Sequence, residues 1–321
     1  MFADVPLTVL MRNLKDNLLT YLKGMAMGAA DVVPGVSGGT IALIAGIYER
    51  LLDSIGAIDI EAFRLLIKGQ FRTLWKKING TFLLSLILGI VTSILTLAGL
   101  ITYLIRTYPI PVWSFFCGLI IISAVLILRD VKRWNLLAIV ALPLGIGLAY
   151  WITGLPPGSS DNNLLMIFGS GMIAICAMIL PGISGSFLLL VMGKYEYILN
   201  ALLERDLLTL GVFMLGCIVG ILASSRAISW LLKHYHAITI SMLSGFMLGS
   251  VNKLWPWKKV LSYRLSSSGE QEPFLTENIW PHHYLSITGE EPYFLAAIFA
   301  FCFGVVLVIG LERAAYFIKS R

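Results

Sequence analysis

Charged side chains are scarce in this chain of 321 residues: only 13% are Asp, Glu, Lys or Arg, whereas 58% are hydrophobic. A soluble globular protein carries about a quarter charged residues. With a mean hydropathy of +0.85, the apolar surface exceeds what one water-facing core can hide. The scarcity of charge therefore excludes an ordinary soluble domain and predicts an all-α polytopic integral membrane protein.

Cysteine and histidine are also few, with four residues of each type. The cysteines lie in apolar runs without a close pair, and they are typical of small core residues. The histidine pairs His234-x-His236 and His282-His283 have no accompanying carboxylate or cysteine set. We therefore expect no metal site, and the sequence indicates no cofactor.

The net charge of +6 is spread over short basic clusters between apolar runs. Such clusters do not form the continuous basic face of a nucleic-acid-binding protein. They suit membrane topology and anionic lipids. Residues 1–23 mix leucines with charged residues and lack an uninterrupted apolar stretch. They predict an interfacial amphipathic helix rather than a cleaved signal peptide.

Apolar runs near the roughly 20 residues that cross a bilayer predict six membrane spans. Two further apolar regions, 24–55 and 163–203, are each interrupted midway by a Pro-Gly-x-Ser-Gly sequence. Proline and glycine stop a helix there, so each region is expected to form two half-helices. The six predicted spans are 80–105, 112–128, 134–153, 206–232, 237–254 and 293–318.

The two interrupted regions resemble one another. The segment 34–39, PGVSGG, recurs as PGISGS at 181–186, and GIYE at 46–49 recurs as GKYE at 193–196, both at an offset of 147. Weaker matches continue at offsets of 127 and 159. The chain is therefore interpreted as two copies of one unit.

Basic residues decide how the two copies cross the membrane. If the interrupted regions turn back as re-entrant hairpins, 15 of the 24 Lys and Arg residues lie on the side of the N-terminus and 7 on the other. That distribution follows the positive-inside rule and predicts inverted-topology repeats with both termini cytoplasmic. The first repeat is 24–153, with a cytoplasmic segment at 56–79; the second is 163–318, with an outside loop at 255–292.

Paired half-helices in inverted repeats are typical of secondary transporters, in which half-helix N-termini bind an anion near the midplane. Free N–H groups, the helix dipole and nearby glycines favour an anion without requiring a lysine. The alternative is that these clusters only kink and cap the helices. The residues expected to hold the anion are Pro34, Gly35, Ser37, Gly38, Gly39 and Thr40 in the first loop and Pro181, Gly182, Ser184, Gly185 and Ser186 in the second.

Four charged residues near these loops are candidates for binding, coupling or gating. Arg226 lies inside an apolar span, where it can clamp a phosphate, pair with a carboxylate or snorkel to the inner surface. Asp31 can cap a half-helix, pair with Arg226 or take a proton. Glu49 and Glu196 are either proton-coupling carboxylates or solvated helix ends, and the sequence leaves these alternatives open.

The Gly-x-Ser-Gly sequence also resembles the nucleophile motif of rhomboid intramembrane proteases. That chemistry requires a base beside the serine, but all four histidines lie at span ends or in the polar loop. A hydrolase also has no need of the motif twice. We therefore assign no catalytic residue and expect a protein that is not an enzyme.

The segment 31–40, DVVPGVSGGT, together with 46–49 and 181–185, resembles the bacterial PopT family over nearly the whole chain. The resemblance implies an undecaprenyl-phosphate flippase with two re-entrant hairpins. Such a protein returns the lipid carrier from the outer to the cytoplasmic leaflet of the bacterial inner membrane for cell-envelope glycan synthesis. Ser186 stands where the first motif has Gly39, so the two hairpins need not hold the headgroup equivalently.

The expected substrate partner is thus a polyprenyl phosphate held between the two loops by alternating access. The alternative is a transporter or channel for a small soluble anion. The sequence leaves open whether a proton or sodium gradient drives transport, and it does not reveal the oligomeric state.

Overall fold

A computed structural model describes residues 7–33, 36–156, 158, 161, 163–265 and 271–319. The motif residues Pro34 and Gly35 lie outside the described residues. The first part of the chain forms α1 (Leu7–Asp31), α2 (Gly38–Ile44), α3 (Tyr48–Gly56), α4 (Ile60–Ile67), α5 (Phe71–Lys77), α6 (Gly80–Thr107), α7 (Pro109–Arg129) and α8 (Leu136–Thr153).

The second part of the chain is also helical, apart from one pair of strands. Its elements are α9 (Leu164–Ile179), α10 (Gly185–Val191), α11 (Tyr195–Glu204), α12 (Leu207–His234), α13 (His236–Leu254), β1 (Lys258–Leu265), β2 (Gln271–Asn278), α14 (Pro281–Thr288) and α15 (Phe294–Lys319).

Six of the described helices, α6, α7, α8, α12, α13 and α15, are long and apolar enough to cross a membrane. In the most apolar stretch of 18 residues of α6, only 17% is buried inside the protein, and the same share holds for α12 and α15. Such exposed apolar surface requires lipid around it. The chain is therefore an all-α polytopic membrane protein, as the composition predicts.

Each interrupted region contains a long helix, a short half-helix and a further helix. The first comprises α1, α2 and α3, and the second comprises α9, α10 and α11. Each short helix is followed, two residues after its end, by a glycine in the left-handed region that favours glycine: Gly46 (φ +65°) after α2 and Gly193 (φ +67°) after α10. The axes of α10 and α11 differ by 104°. A bend of this size fits a broken span as well as a re-entrant loop, so the re-entrant course remains a prediction.

Helix α1 is continuous across the predicted limit between residues 1–23 and 24–55. No proline occurs between Leu7 and Asp31, so nothing in the sequence stops the helix there. Lys23 Nζ donates to the carbonyl oxygen of Ala45 at 2.6 Å. The end of the predicted interfacial helix therefore belongs to the same rigid element as the first half-helix.

The segment 255–292, predicted only as an outside loop, contains structure of its own. Strands β1 and β2 pair antiparallel, and α14 follows them. Trp257 and Tyr284 are buried with Ile110 and Ala297 in a small hydrophobic core. The side chains of Trp257 and Tyr284 thus help to dock this segment.

The described chain forms two compact units. One comprises Met1–Ile101 and Pro157–Thr239, and it holds both interrupted regions with α12 and most of α6. The other comprises Thr102–Pro156 and Ile240–Arg321, and it holds α7, α8, α15 and most of α13. Each unit therefore draws helices from both sequence repeats.

The duplicated sequences make equivalent helix contacts within the first unit. A Cβ atom on Gly89 would lie 2.1 Å from the carbonyl oxygen of Tyr21, and one on Gly216 would lie 2.1 Å from that of Phe168. Gly216 follows Gly89 by 127 residues, and Phe168 follows Tyr21 by 147, the offsets of the repeat. Backbones this close leave room only for glycine, as is common between membrane helices.

The second unit repeats this relationship with different helices. A Cβ atom on Gly118 would lie 2.2 Å from the carbonyl oxygen of Phe301, and one on Gly245 would lie 2.5 Å from that of Leu142. These residues are again related by offsets of 127 and 159. The duplication noticed in the sequence is thus also present in the helix packing.

Candidate functional site

The two Pro-Gly loops contact each other within the first unit. The backbone N–H of Gly182 donates to Thr40 Oγ1 at 2.9 Å, and Ser37 Oγ donates to the carbonyl oxygen of Met178 at 2.8 Å. Thr40 and Ser37 are buried. The structure therefore brings together the residues that the motif singled out, although more than 140 positions separate them in the chain.

Tyr48 adds a third link between the interrupted regions. Its hydroxyl group donates to the carbonyl oxygen of Ile179 at 3.1 Å, and the side chain is fully buried. The same carbonyl oxygen would lie 2.4 Å from a Cβ atom on Gly39, so the loops approach backbone to backbone. The recurrence of GIYE as GKYE includes Tyr48, so the sequence carries a signal for this residue as well as for Glu49 and Glu196.

The N-terminus of α2 is capped by groups of the protein itself. Ser37 is the N-cap residue, and its Oγ accepts from the N–H of Gly39 at 3.1 Å. Asp31 Oδ1 accepts from the N–H of Gly38 at 2.6 Å. Of the three roles left open for Asp31, the structure thus shows helix capping. A carboxylate occupies the position where the sequence predicts a bound anion.

The N-terminus of α10 has no such carboxylate. Ser184 is its N-cap residue but makes no side-chain capping bond, and its Oγ lies 2.9 Å from Ser186 Oγ. The position equivalent to Asp31 is Met178, by the offset of 147. Gly185 is buried, whereas Ser186 is exposed. The two loops therefore differ in charge as well as in the replacement of Gly39 by Ser186.

Among the described residues, the partners of Arg226 lie at the end of α3. Its Nε donates to the carbonyl oxygen of Gly56 at 3.1 Å, and its Nη2 donates to that of Ile58 at 2.7 Å. These carbonyl groups belong to the last turn of α3 and the residues that follow it. Of the alternatives left open for Arg226, the pairing with Asp31 is not observed, and two backbone carbonyls satisfy the guanidinium instead.

Further polar contacts join α3 to the last turns of α12 and to the first residue of α13. Asp53 Oδ1 accepts from Ser229 Oγ at 2.5 Å and from Lys233 Nζ at 2.7 Å. Glu49 lies 3.8 Å from His236 Nε2. The sequence gives no signal for Asp53, because its partners lie more than 170 positions away. Glu49 therefore belongs to an interhelical contact of α3, and Glu196 occupies the equivalent first turn of α11.

Two lysines that the sequence did not single out lie beside the helix breaks. Lys23 contacts the carbonyl oxygen of Ala45, at the end of α2. Lys194 is buried, and its Nζ donates to the carbonyl oxygen of Asp161. The signal for both was a basic residue within or beside an apolar run. Across the described residues, no group of three or more His, Cys, Asp or Glu side chains could hold a metal ion.

These features define a polytopic helical membrane protein in which the two duplicated loops contact each other. The sequence profile of the undecaprenyl phosphate translocase-like family matches residues 27–272. The chain therefore belongs to this family.

Two curated relatives support the assignment. The chain is 47% identical, over 298 residues, to a protein of Vibrio cholerae serotype O1 named polyprenyl-phosphate transporter; the match covers 93% of this chain and 97% of the relative. It is 34% identical, over 256 residues, to a protein of the same name from Staphylococcus aureus, covering 74% and 86%. No solved structure matches the chain.

Proposed function

We propose that this protein is a flippase for undecaprenyl phosphate or a similar polyprenyl phosphate. It returns the lipid carrier from the outer to the cytoplasmic leaflet of the bacterial inner membrane, with both termini in the cytoplasm. The names of the two relatives support the substrate. The six apolar helices support a site inside the bilayer, so only the headgroup has to cross while the polyprenyl tail stays in lipid.

The contact between the two duplicated loops is the observation that carries this proposal. The Thr40–Gly182 and Ser37–Met178 hydrogen bonds bring two loops rich in N–H and hydroxyl donors to one place. Donors at helix N-termini favour phosphate oxygens. The phosphate binds between the loops, and movement of the two inverted repeats exposes it to each side in turn.

The difference between the two loops suggests an order of events. Ser184 and Ser186 offer hydroxyl groups without a carboxylate, so phosphate binds first at the second loop. At the first loop the Asp31 carboxylate holds the N–H of Gly38 and repels an anion. When Asp31 takes a proton, the repulsion ends and the phosphate engages both loops. Proton coupling follows from this exchange, whereas a sodium site has no comparable support.

The experiment compares variants in vesicles that contain a polyprenyl phosphate and report headgroup accessibility in each leaflet. Ser184→Ala with Ser186→Ala is expected to slow translocation by roughly ten-fold, the effect of losing charge-assisted hydrogen bonds. Ser224→Ala with Ser286→Ala is the matched control, because Ser224 bonds only within its own helix and Ser286 lies in α14.

Two outcomes contradict the proposal. Wild-type rates in the Ser184 and Ser186 variant would remove the second loop from the site. Uptake of inorganic phosphate by the same vesicles, without any movement of the lipid headgroup, would favour the alternative of a transporter for a small soluble anion.

A further inference from the structure

The segment between α3 and α6 presents an apolar face that the described protein leaves uncovered. Ile60, Phe63 and Ile67 lie on one face of α4 and are 74%, 61% and 71% exposed. Phe71 and Trp75, four positions apart on α5, are 64% and 45% exposed. Positions i, i+3, i+4 and i+7 share a helix face. Both short helices are therefore amphipathic, and we call α4 and α5 together the α4–α5 hairpin.

The hairpin is closed by its own ionic contacts. Asp59 Oδ1 caps α4 by accepting from the N–H of Ala62 at 2.8 Å. Lys77, at the end of α5, contacts both Asp59 (2.9 Å) and Glu61. Asp59 and Glu61 are the only acidic residues between positions 56 and 79. One lysine thus engages all the negative charge of the segment.

Four cations remain on the hairpin. Arg64, Lys68, Arg72 and Lys76 are exposed, and among the described residues none has a recorded carboxylate partner. Each of them directly follows an apolar residue of this face in the sequence, so the basic groups flank the apolar face. A surface of this composition suits an interface with anionic lipid, where the apolar side chains insert and the basic groups meet headgroups.

Trp75 fixes the hairpin at the beginning of a membrane span. Its ring packs on Gly80, where a Cβ atom would lie 2.3 Å from the ring, and its Nε1 donates to Thr81 Oγ1 at 3.0 Å. Gly80 and Thr81 are the first residues of α6. The hairpin therefore lies at the level where α6 enters the bilayer.

We propose that the α4–α5 hairpin binds an anionic phospholipid surface, with its apolar face in the interfacial layer and its four basic residues on the headgroups. The surface recognises ordinary phospholipids such as phosphatidylglycerol, and the inference does not depend on which lipid is transported. Only the first repeat contains this segment, which accounts for the 20-residue change of offset between the copies.

The test places a fluorescent label at Ile67→Cys, with exposed Cys302 changed to serine, in full-length protein reconstituted into vesicles. Lipids that carry a quencher near the headgroup report insertion, and aqueous iodide reports exposure to water. In phosphatidylglycerol vesicles we expect strong lipid quenching and weak iodide quenching. Arg72→Gln with Lys76→Gln should lower the preference for phosphatidylglycerol over phosphatidylcholine by roughly 25-fold, since each basic residue contributes about five-fold.

The matched control is Lys132→Gln with Arg133→Gln. It removes the same two charges from the exposed linker between α7 and α8, and should leave the label unaffected. Three results would overturn the proposal: equal effects of the two double variants, strong iodide quenching in phosphatidylglycerol vesicles, or protection from both quenchers. The last result would mean that another protein surface covers the hairpin. High salt should weaken the lipid preference, because it screens the headgroup charges.

Discussion

Thr40 accepts a hydrogen bond from the backbone N–H of Gly182 at 2.9 Å. Thr40 is fully buried and belongs to the first turn of α2, whereas Gly182 precedes α10 and has a φ of +84°. One hydroxyl group therefore links the two duplicated loops directly. The geometry requires glycine on one side and a hydroxyl group on the other, which explains why both residues occur within the motif.

Replacing Thr40 tests this link. Thr40→Val keeps the shape of the side chain but leaves the N–H of Gly182 without its acceptor, so we expect the free energy of unfolding to fall by about 1 kcal/mol. Thr40→Ser retains the acceptor and should stay near the wild type. Thermal unfolding in detergent measures both variants, and equal stability of the two would contradict the assigned role of the hydroxyl group.

Asp31→Asn separates helix capping from proton uptake. The amide oxygen can still accept from the N–H of Gly38, but the side chain can no longer take a proton. We expect headgroup transport by the wild type to rise as the pH falls, and transport by the variant to be independent of pH. Asp16→Asn removes an exposed carboxylate from the same helix and is the control. A normal pH response in Asp31→Asn would exclude Asp31 as the coupling group.

Arg226 should act on the end of α3 through the geometry of its guanidinium. Arg226→Lys keeps the charge but cannot donate to the carbonyls of Gly56 and Ile58 in the same way. We expect amide hydrogen exchange around these residues to become roughly five-fold faster in Arg226→Lys and in Arg226→Ala alike. If these amides exchange as slowly in Arg226→Lys as in the wild type, a positive charge at position 226 is sufficient, which is the result expected of a residue that binds phosphate.

Lys258 should make the docking of the β1–β2 hairpin depend on pH. Its Nζ donates to the carbonyl oxygen of Lys253 at 2.6 Å and lies 4.6 Å from the centre of the Trp113 ring. Burial of the ammonium group, together with the nearby charge of Lys253, lowers the pKa of Lys258 to about 7. The unfolded segment keeps its proton up to about pH 10.

The sign of the effect follows from proton binding. Above about pH 7 the docked hairpin holds fewer protons than the undocked one, so its stability should rise as the pH increases. The protection factors of the β1 amides, which correct for the base-catalysed rise in intrinsic exchange, should therefore increase between about pH 6 and pH 9. In Lys258→Met this dependence should disappear, whereas Lys259→Met, at the exposed neighbour, should retain it. A pH response in Lys258→Met as large as in the wild type would assign the effect to another group.

Local sequence predicts the elements of this fold better than their partners. Apolar runs located the helices that can cross a membrane, because hydropathy depends only on neighbouring residues. The recurrence of the Pro-Gly motif located the two loops, since proline and glycine stop a helix wherever they occur together. The motif alone therefore predicts Ser37 and Thr40 as site residues.

The sequence does not predict which residues far apart in the chain contact each other. For Arg226 the sequence left open a phosphate clamp, a carboxylate partner or a snorkelling side chain, whereas backbone carbonyls 168 and 170 positions away accept its hydrogen bonds. Backbone carbonyls carry no sequence signal, so such pairing cannot be read from residue types. The β1–β2 hairpin was missed for a related reason: its docking depends on Trp257 and Tyr284, which pack against two different helices.

Helix α1 has a practical consequence for work on this protein. Its 25 residues form one unbroken rod of about 37 Å, which ends at the carboxylate that caps α2. We therefore expect a bulky fusion or surface attachment placed before Leu7 to disturb the first loop through α1. Displacement at that end is transmitted along the rod to Asp31, so reporters for transport measurements are better attached elsewhere.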